Sequence, residues 1–122
     1  TVADTANALP ALSWVPLTLT NGWIDTFGPN DARTPAMAID AQGVVHLRGV
    51  IRNDGTAPPD QFALAPAQFR PSQIVSLSTN LKFSNPGVIG ISPSGTMTVT
   101  DPSGGGFEFA FTNLDGVTYA AG

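Results

Sequence analysis

The stretch GVVHLRGVIR, residues 43–52, decides the fold because it is the longest run in the chain with the pattern of a β-strand. Turn-forming residues flank it, DAQG at residues 40–43 and NDG at 53–55, which predicts a chain reversal at each end. Side chains alternate between the two faces of a strand, so each face is defined by every second residue. The face predicted to lie in the core comprises Val45, Leu47, Gly49 and Ile51. The opposite face, which mixes aliphatic and basic side chains and therefore suits contact with another molecule, comprises Val44, His46, Arg48, Val50 and Arg52.

Length and composition favour one domain. A chain of 122 residues is long enough to bury roughly two-thirds of its unfolded surface in a single core. Residues 1–13 are small and polar and are expected to form a linker or the end of a stalk, with one head domain over residues 14–122. The missing initiator methionine suggests a piece of something longer. No apolar run of about 20 residues is present, so we expect no membrane insertion.

The chain carries few charges. Nine acidic and five basic residues give a mildly acidic balance, which disfavours nucleic-acid binding because that needs clustered Lys and Arg. Charged residues make up 11% of the chain, against about 25% in an average protein. A surface with so little charge favours a homo-oligomer in which copies cover part of it. The alternative is a monomer whose surface is Thr, Ser, Asn and Gly.

The remaining segments predict about ten short antiparallel strands. Residues 15–20 and 23–27, joined by Asn21-Gly22, predict one hairpin, and residues 88–91 and 96–100 predict another. Residues 34–40 predict a short strand with Met37 and Ile39 on one face. Residues 107–112 predict a strand whose core face holds three aromatic residues, Phe107, Phe109 and Phe111. This spacing of strands and turns is typical of an all-β antiparallel β-sandwich, jelly-roll-like.

No catalytic, metal or cofactor site is expected from the residues. His46 is the only histidine and lies within a strand, and no GxSxG turn accompanies it. One histidine and no cysteines make a closed zinc site improbable, and no EF-hand spacing exists. A calcium site that uses Asn30, Asp31 and a loop carbonyl stays open. Trp14 and Trp23 are candidate sugar platforms, although large aromatic residues more often lie in a core or an interface.

Five segments together resemble a known family: LTLTNGW at residues 17–23, QGVVHLRGVI at 42–51, AQFRP at 67–71, ISPSGTMTV at 91–99 and NLDGVTY at 113–119. The succession resembles the C-terminal head domains of bacteriophage tail fibres, baseplate receptor-binding proteins and related prophage or bacterial surface proteins. The resemblance implies a homotrimeric β-sandwich that binds a host cell-surface glycan or protein, in a virion or outside the cell. The chain departs from the family pattern at residues 25–35, DTFGPNDARTP, where such heads often carry Tyr and Gly.

The expected contacts follow from this resemblance and from the tendency of loops to carry binding residues. We expect ligand contacts from Asn30, Asp31 and Arg33 in the loop at residues 28–33, and from Trp23, with residues 104–106 nearby. The subunit interface is expected at His46, Arg48 and Val50, since arginine is favoured in interfaces. Two alternatives stay open. One is a structural trimerisation or capping module without a ligand, and the other is a small polysaccharide-acting hydrolase.

Overall fold

The computed structural model describes residues 12–27, 34–56 and 58–122, and these residues form eleven strands. In chain order the strands are β1 (Val15–Pro16), β2 (Trp23–Asp25), β3 (Ala36–Ile39), β4 (Val44–Arg48), β5 (Val50–Asn53), β6 (Gln61–Leu64), β7 (Val75–Asn80), β8 (Pro86–Ile91), β9 (Thr96–Thr100), β10 (Thr112–Asn113) and β11 (Thr118–Ala120). A one-turn helix, α1 (Phe107–Ala110), and two 3₁₀ turns, Ala67–Phe69 and Lys82–Ser84, complete the elements.

The strands form three antiparallel sheets. The first sheet has the order β1-β3-β4-β11, the second β10-β5-β2 and the third β6-β9-β8-β7. Their inner faces meet in one core that contains Met37, Phe62, Ile89 and Met97, each with no exposed surface. The predicted antiparallel β-sandwich is thereby confirmed, with a strand count close to the expected ten.

The predicted central strand is broken at Gly49. Residues 44–48 belong to the first sheet and residues 50–53 to the second, so the chain passes between sheets at this glycine. Gly49 has a φ of 106°, a backbone conformation that a side chain disfavours. The break ends the alternation, and Val50 and Ile51 are both buried, at 2% and 0% exposure. The prediction that Val50 lies at a subunit interface is therefore wrong, because its side chain lies in the core of its own chain.

A turn from the far end of the chain holds this break. The Asp115 carboxylate accepts a hydrogen bond of 2.8 Å from the backbone N–H of Gly49. The backbone N–H of Leu114 donates to the Gly49 carbonyl, also at 2.8 Å. Leu114 itself is fully buried. The backbone N–H and carbonyl of Gly49 have no partner strand at the point where the chain changes sheet. One tight turn supplies the hydrogen-bond partners of both groups.

The predicted hairpin over residues 15–27 is wrong in its pairing. The Asn21-Gly22 turn forms, with φ of 58° and 85° and a 3.1 Å bond from Trp23 N–H to the Thr20 carbonyl. The flanking strands nevertheless pair elsewhere, β1 with β3 and β2 with β5. The Asn53 amide donates to the Asn21 carbonyl at 2.9 Å, so the turn is tied to β5. Long-range contacts outweigh the local hairpin signal here.

The predicted strand at residues 107–112 is a helical turn followed by β10. The Asp101 carboxylate accepts N–H bonds from Ser103 at 2.9 Å and from Phe107 at 3.2 Å, which curls the glycine-rich loop into the start of α1. The helix buries Glu108, at 5% exposure, while Phe107 and Phe109 are only partly buried. The three phenylalanines therefore do not share a core face, and this prediction is wrong.

Burial and strand pairing decide two further sequence predictions, the hairpin of β8 and β9 and the buried face of β3. The hairpin formed by β8 and β9 is confirmed, and Met97 and Val99 are fully buried. On β3, Met37 is buried as predicted, but Ile39 is 37% exposed because it lies at the end of the strand. Phe69 is buried, and its carbonyl accepts a 2.7 Å hydrogen bond from the Tyr119 hydroxyl.

Replacing Asp115 tests the importance of the Gly49 break. Asp115→Ala leaves the Gly49 N–H without its acceptor, and we expect the free energy of unfolding to fall by about 1–2 kcal/mol. Asp115→Asn keeps an oxygen in the same place and should lose less than half of that amount. Urea denaturation of the three proteins measures both values. Equal stability of the alanine variant and the wild type would contradict this account.

Candidate functional site

His46 and Arg48 lie on the outer face of the first sheet, as the alternation within β4 predicts. His46 Nε2 lies 3.0 Å from Asp40 Oδ2, a carboxylate that also accepts the backbone N–H groups of Gln42 and Val44. The hydrogen bond from His46, followed by the bond from Val44, holds the pKa of Asp40 below its usual value. His46 is thus tied to the turn that precedes its own strand. Among the described residues, no cluster of three metal-ligating side chains is found.

Arg48 is engaged within its own chain. Its Nε donates to the Thr34 carbonyl at 3.3 Å, and its guanidinium carbon lies 4.5 Å from the centre of the Trp14 ring. The Arg48 side chain therefore reaches over the outer face of the first sheet and contacts one of the two predicted sugar platforms. Ala36 and Ala38, which pair with Arg48 and His46 on that face, are nearly fully buried. A subunit contact at His46 and Arg48 stays a prediction.

Trp23 is not at a binding surface. Its side chain is 3% exposed, and its indole N–H donates to the Pro59 carbonyl at 3.0 Å. The ring packs against Phe62 and Phe109, with centroids 6.2 and 5.8 Å away. The prediction that Trp23 contacts a ligand is wrong, because no face of the indole is open to solvent.

The remaining predicted ligand contacts are in the loop at residues 28–33 and at residues 104–106. Asn30, Asp31 and Arg33 lie outside the described residues, and so does the possible calcium site. Residues 104–106 lie at the end of a largely exposed loop and lead directly into α1. Among the described residues, no helix is long and apolar enough to cross a membrane.

The structure shows a site that sequence reasoning missed. Two adjoining cavities, of about 210 and 370 Å³, lie beside the edge of β7 and share Asn80 and Asn113. We call the pair the Phe83 groove. Its lining residues are Ser78, Thr79, Asn80, Leu81, Lys82, Phe83, Ser84, Ala110, Phe111, Asn113, Asp115, Gly116 and Val117.

Phe83 dominates the larger cavity. It is 79% exposed, more than any other large hydrophobic side chain in the described ranges. Its backbone is left-handed, with φ of 59°, and that of Ser84 is too, with φ of 60°. Such conformations cost about 1–3 kcal/mol for residues other than glycine and often occur at ligand sites. The turn is closed by a 2.7 Å bond from Leu81 N–H to the Asn85 carbonyl.

Neighbouring groups hold the Phe83 ring at the surface. Phe107 meets it edge to face, with centroids 6.2 Å apart, and the Lys82 ammonium lies 5.3 Å from the ring centroid. The Asn85 amide bonds the Lys82 carbonyl at 2.9 Å, a further link across the turn. Phe83 is therefore held outward by its turn, and Phe107 and Lys82 contact the ring but leave most of it exposed.

Hydrogen-bonding groups surround this ring. The Asn80 side-chain amide is exposed and has no partner in the part of the chain that the structure describes. The Asn113 side-chain oxygen accepts the Asp115 N–H at 2.9 Å, and the Thr79 hydroxyl donates to the Asn113 carbonyl. Within the described ranges β7 itself pairs only with β8, while Leu81, the next residue, forms an isolated bridge with Thr112, so the unpaired part of the other edge lies before Leu81. The groove thus combines an open aromatic ring with neutral donors and acceptors.

A signal for this site exists in the sequence but is weak. The segment NLKFSNP, residues 80–86, places one phenylalanine among turn-forming and polar residues between two strands. An aromatic residue in a turn has no core face to occupy. Without the fold, however, nothing shows that Asn113, which is 30 residues away, lies beside it.

The fold is an antiparallel β-sandwich, and it is similar to that of a phage receptor-binding protein. The chain is similar to the receptor binding protein (gp15) of Listeria phage PSA, whose crystal structure it matches with a TM-score of 0.67 and 18% sequence identity. The match covers 99% of this chain and 71% of that protein. The β-sandwich fold that the sequence resemblance implies is confirmed by this match. No protein-family model matches the chain, and a comparison with curated protein sequences finds no match.

Glu108 lies on α1, beside the groove, and its carboxyl group is buried. The free energy of unfolding should therefore depend on pH. Burial, together with the negative charges of Asp101 and Asp60, raises the pKa of its carboxyl above the usual value. Between the unfolded and folded pKa values the native state binds more protons, so stability falls as pH rises through this range. We expect Glu108→Gln to raise the melting temperature at pH 7. At a pH below both the folded and the unfolded pKa of Glu108, the gain in melting temperature should disappear.

Thermal denaturation of wild type and Glu108→Gln across pH 3 to 8 measures this effect. The acid end of the series is the internal control, because both side chains are neutral there. A gain of the same size at pH 3 and pH 7 would show that packing, and not charge burial, is responsible.

Proposed function

We propose that this chain is a non-catalytic receptor-binding head of a phage tail or of a related surface protein, and that it attaches to a host cell-surface glycan or protein. The observation that carries the proposal is the fold match to gp15 over 99% of the chain. The five sequence motifs of the resemblance support the same class. On this proposal the chain is part of a virion or acts outside the cell.

The chemistry of the exposed groups supports binding more than bond cleavage. The Phe83 groove is lined mainly by amides, hydroxyls and aromatic or aliphatic groups. Amides and hydroxyls form hydrogen bonds but are poor proton donors and acceptors near neutral pH. His46, which a hydrolase would use as its base, lies with Asp40 on the outer face of the first sheet and is not among the residues that line the groove. Attachment needs no more than such hydrogen bonds and apolar contacts.

A homotrimer fits this proposal, with His46 and Arg48 on the face toward the neighbouring subunit. The low share of charged residues, 11%, supports an assembly that covers part of each surface. Three copies of a weak site raise the overall affinity by effective concentration, without the need for a deep pocket. The loop at residues 28–33 remains our proposed contact with the receptor, through Asn30, Asp31 and Arg33, with residues 104–106 beside it.

Cell binding and solution mass test the proposal together. We expect fluorescently labelled protein to bind a subset of bacterial strains, with Listeria strains as the first choice because gp15 belongs to a Listeria phage. Light scattering should give three times the mass of one chain. Alanine at Asn30, Asp31 and Arg33 together should weaken cell binding at least tenfold, because three weakened sites multiply their loss.

Asp54→Ala is the matched control, since Asp54 is exposed in a different turn and, among the described residues, forms an ion pair with Arg52 alone. If the triple variant binds as the wild type does, the loop is not the receptor contact. A stable trimer that binds no strain in a broad panel would favour the capping module. Turnover of a cell-wall or capsule polysaccharide would favour the hydrolase.

A further inference from the structure

We infer that the Phe83 groove binds one pyranose ring of a surface saccharide, stacked on Phe83 and hydrogen-bonded by Asn80 and Asn113. This inference rests on the proposed function and deepens it, since it names a second contact site and the chemical class of its ligand. It uses only residues that the structure describes.

The exposed ring is the first step of the argument. A phenylalanine that is 79% exposed gives up the favourable free energy that burial of its side chain would supply. This residue also has left-handed backbone, with φ of 59°, which costs a further amount. The contacts of the ring, with Phe107 and Lys82, leave most of it exposed. A ligand that covers the Phe83 ring would recover the free energy of apolar burial. The C–H face of a pyranose is such a ligand surface.

The groups that neighbour Phe83 indicate the chemical class of the ligand. The cavity around Phe83 is lined by apolar side chains, Leu81, Ala110 and Phe111, and by polar ones, Asn80, Ser84 and Asn113, which matches the apolar C–H face and the hydroxyls of a sugar. The Asn80 amide has two donors and one acceptor without partners in the described structure. Sugar hydroxyls both donate and accept, so they can satisfy amide groups and the free edge of β7 at once. Such a mixture of apolar and polar groups around one exposed aromatic side chain suits a saccharide.

Size and charge agree with this assignment. The larger cavity, of about 370 Å³, lies at the lower end of the range for small-molecule sites. The smaller cavity continues past Asn113 to Asp115 and Gly116, which leaves room for a second sugar in a chain. Lys82 and Asp115 carry opposite charges at the two ends, so the groove as a whole has no net charge. A neutral sugar ring meets no electrostatic penalty there.

Nuclear magnetic resonance titration of the intact chain tests the inference. The probes are glucose, galactose, rhamnose and N-acetylglucosamine, each added to millimolar concentration. With at least one of them we expect shifts of the Asn80 and Asn113 side-chain amide signals and of the Phe83 ring signals. Phe83→Ala should weaken that binding roughly three- to tenfold, which is the range for loss of one aromatic stacking contact.

Two further variants make the result specific. Ile74→Ala removes another large apolar side chain, 71% exposed just before β7, and should leave the titration unchanged. Phe83→Trp keeps a stacking face and should retain binding. Phe83 is on the surface, so the melting temperature of Phe83→Ala should stay close to that of wild type.

Three outcomes would overturn the inference: no shift with any of the four sugars, the same sugar affinity in Phe83→Ala as in wild type, or a change of solution mass in Phe83→Ala. The last would mean that a second copy of the chain occupies the groove. Cell binding separates this inference from the proposed function. If wild type and Phe83→Ala bind cells equally, only the groove assignment fails, whereas a wild type that binds no cells contradicts the receptor-binding head itself.

Discussion

The structure depends on the pair of hydrogen bonds that fixes Gly49 between two sheets. One strand-forming stretch serves both sheets, and the change of sheet leaves a backbone N–H and a carbonyl that need new partners. The turn at Leu114 and Asp115 supplies both, each at 2.8 Å. Residues that are about 65 positions apart thus close the fold, and this closure joins the first two sheets beside the core.

The same closure builds the groove. Asn113 and Asp115 stand on either side of Leu114, whose N–H bonds Gly49, and both face the edge of β7 across the two cavities. The Thr79 hydroxyl joins β7 to the Asn113 carbonyl. A rigid wall therefore lies opposite the more exposed turn that carries Phe83. Binding groups positioned by core contacts lose little conformational entropy when a ligand arrives.

The sequence predicted the elements better than it predicted their partners. Alternation identified the β8 and β9 hairpin and the fold class correctly, because each depends on local period and turn chemistry. The first hairpin failed because Asn53 ties the Asn21 turn to β5, a contact between residues 32 positions apart. The break at Gly49 was missed for the same reason, since a glycine inside an alternating run does not by itself reveal a change of sheet.

Predictions for the site were less successful. Trp23 and Val50 were assigned to surfaces, and both are buried, because alternation gives the face of a strand but does not say what covers it. His46 and Arg48 were correctly placed on an outer face. The helix at Phe107 also changed the site, since it brings one aromatic ring against Phe83 instead of placing three in the core. Tertiary contacts decided each of these cases.

For the receptor-binding head proposed above, the turn at Lys82–Ser84 has a consequence for a change of host. Backbone bonds from Leu81 and Ser84, and the Asn85 side chain, set its shape, while none of its three side chains is buried in the core. Substitutions there leave the packing of the sheets untouched. On the proposed function, a lineage could therefore exchange its binding chemistry at this tip one residue at a time, and adaptation to a new surface would leave the scaffold that presents it unchanged.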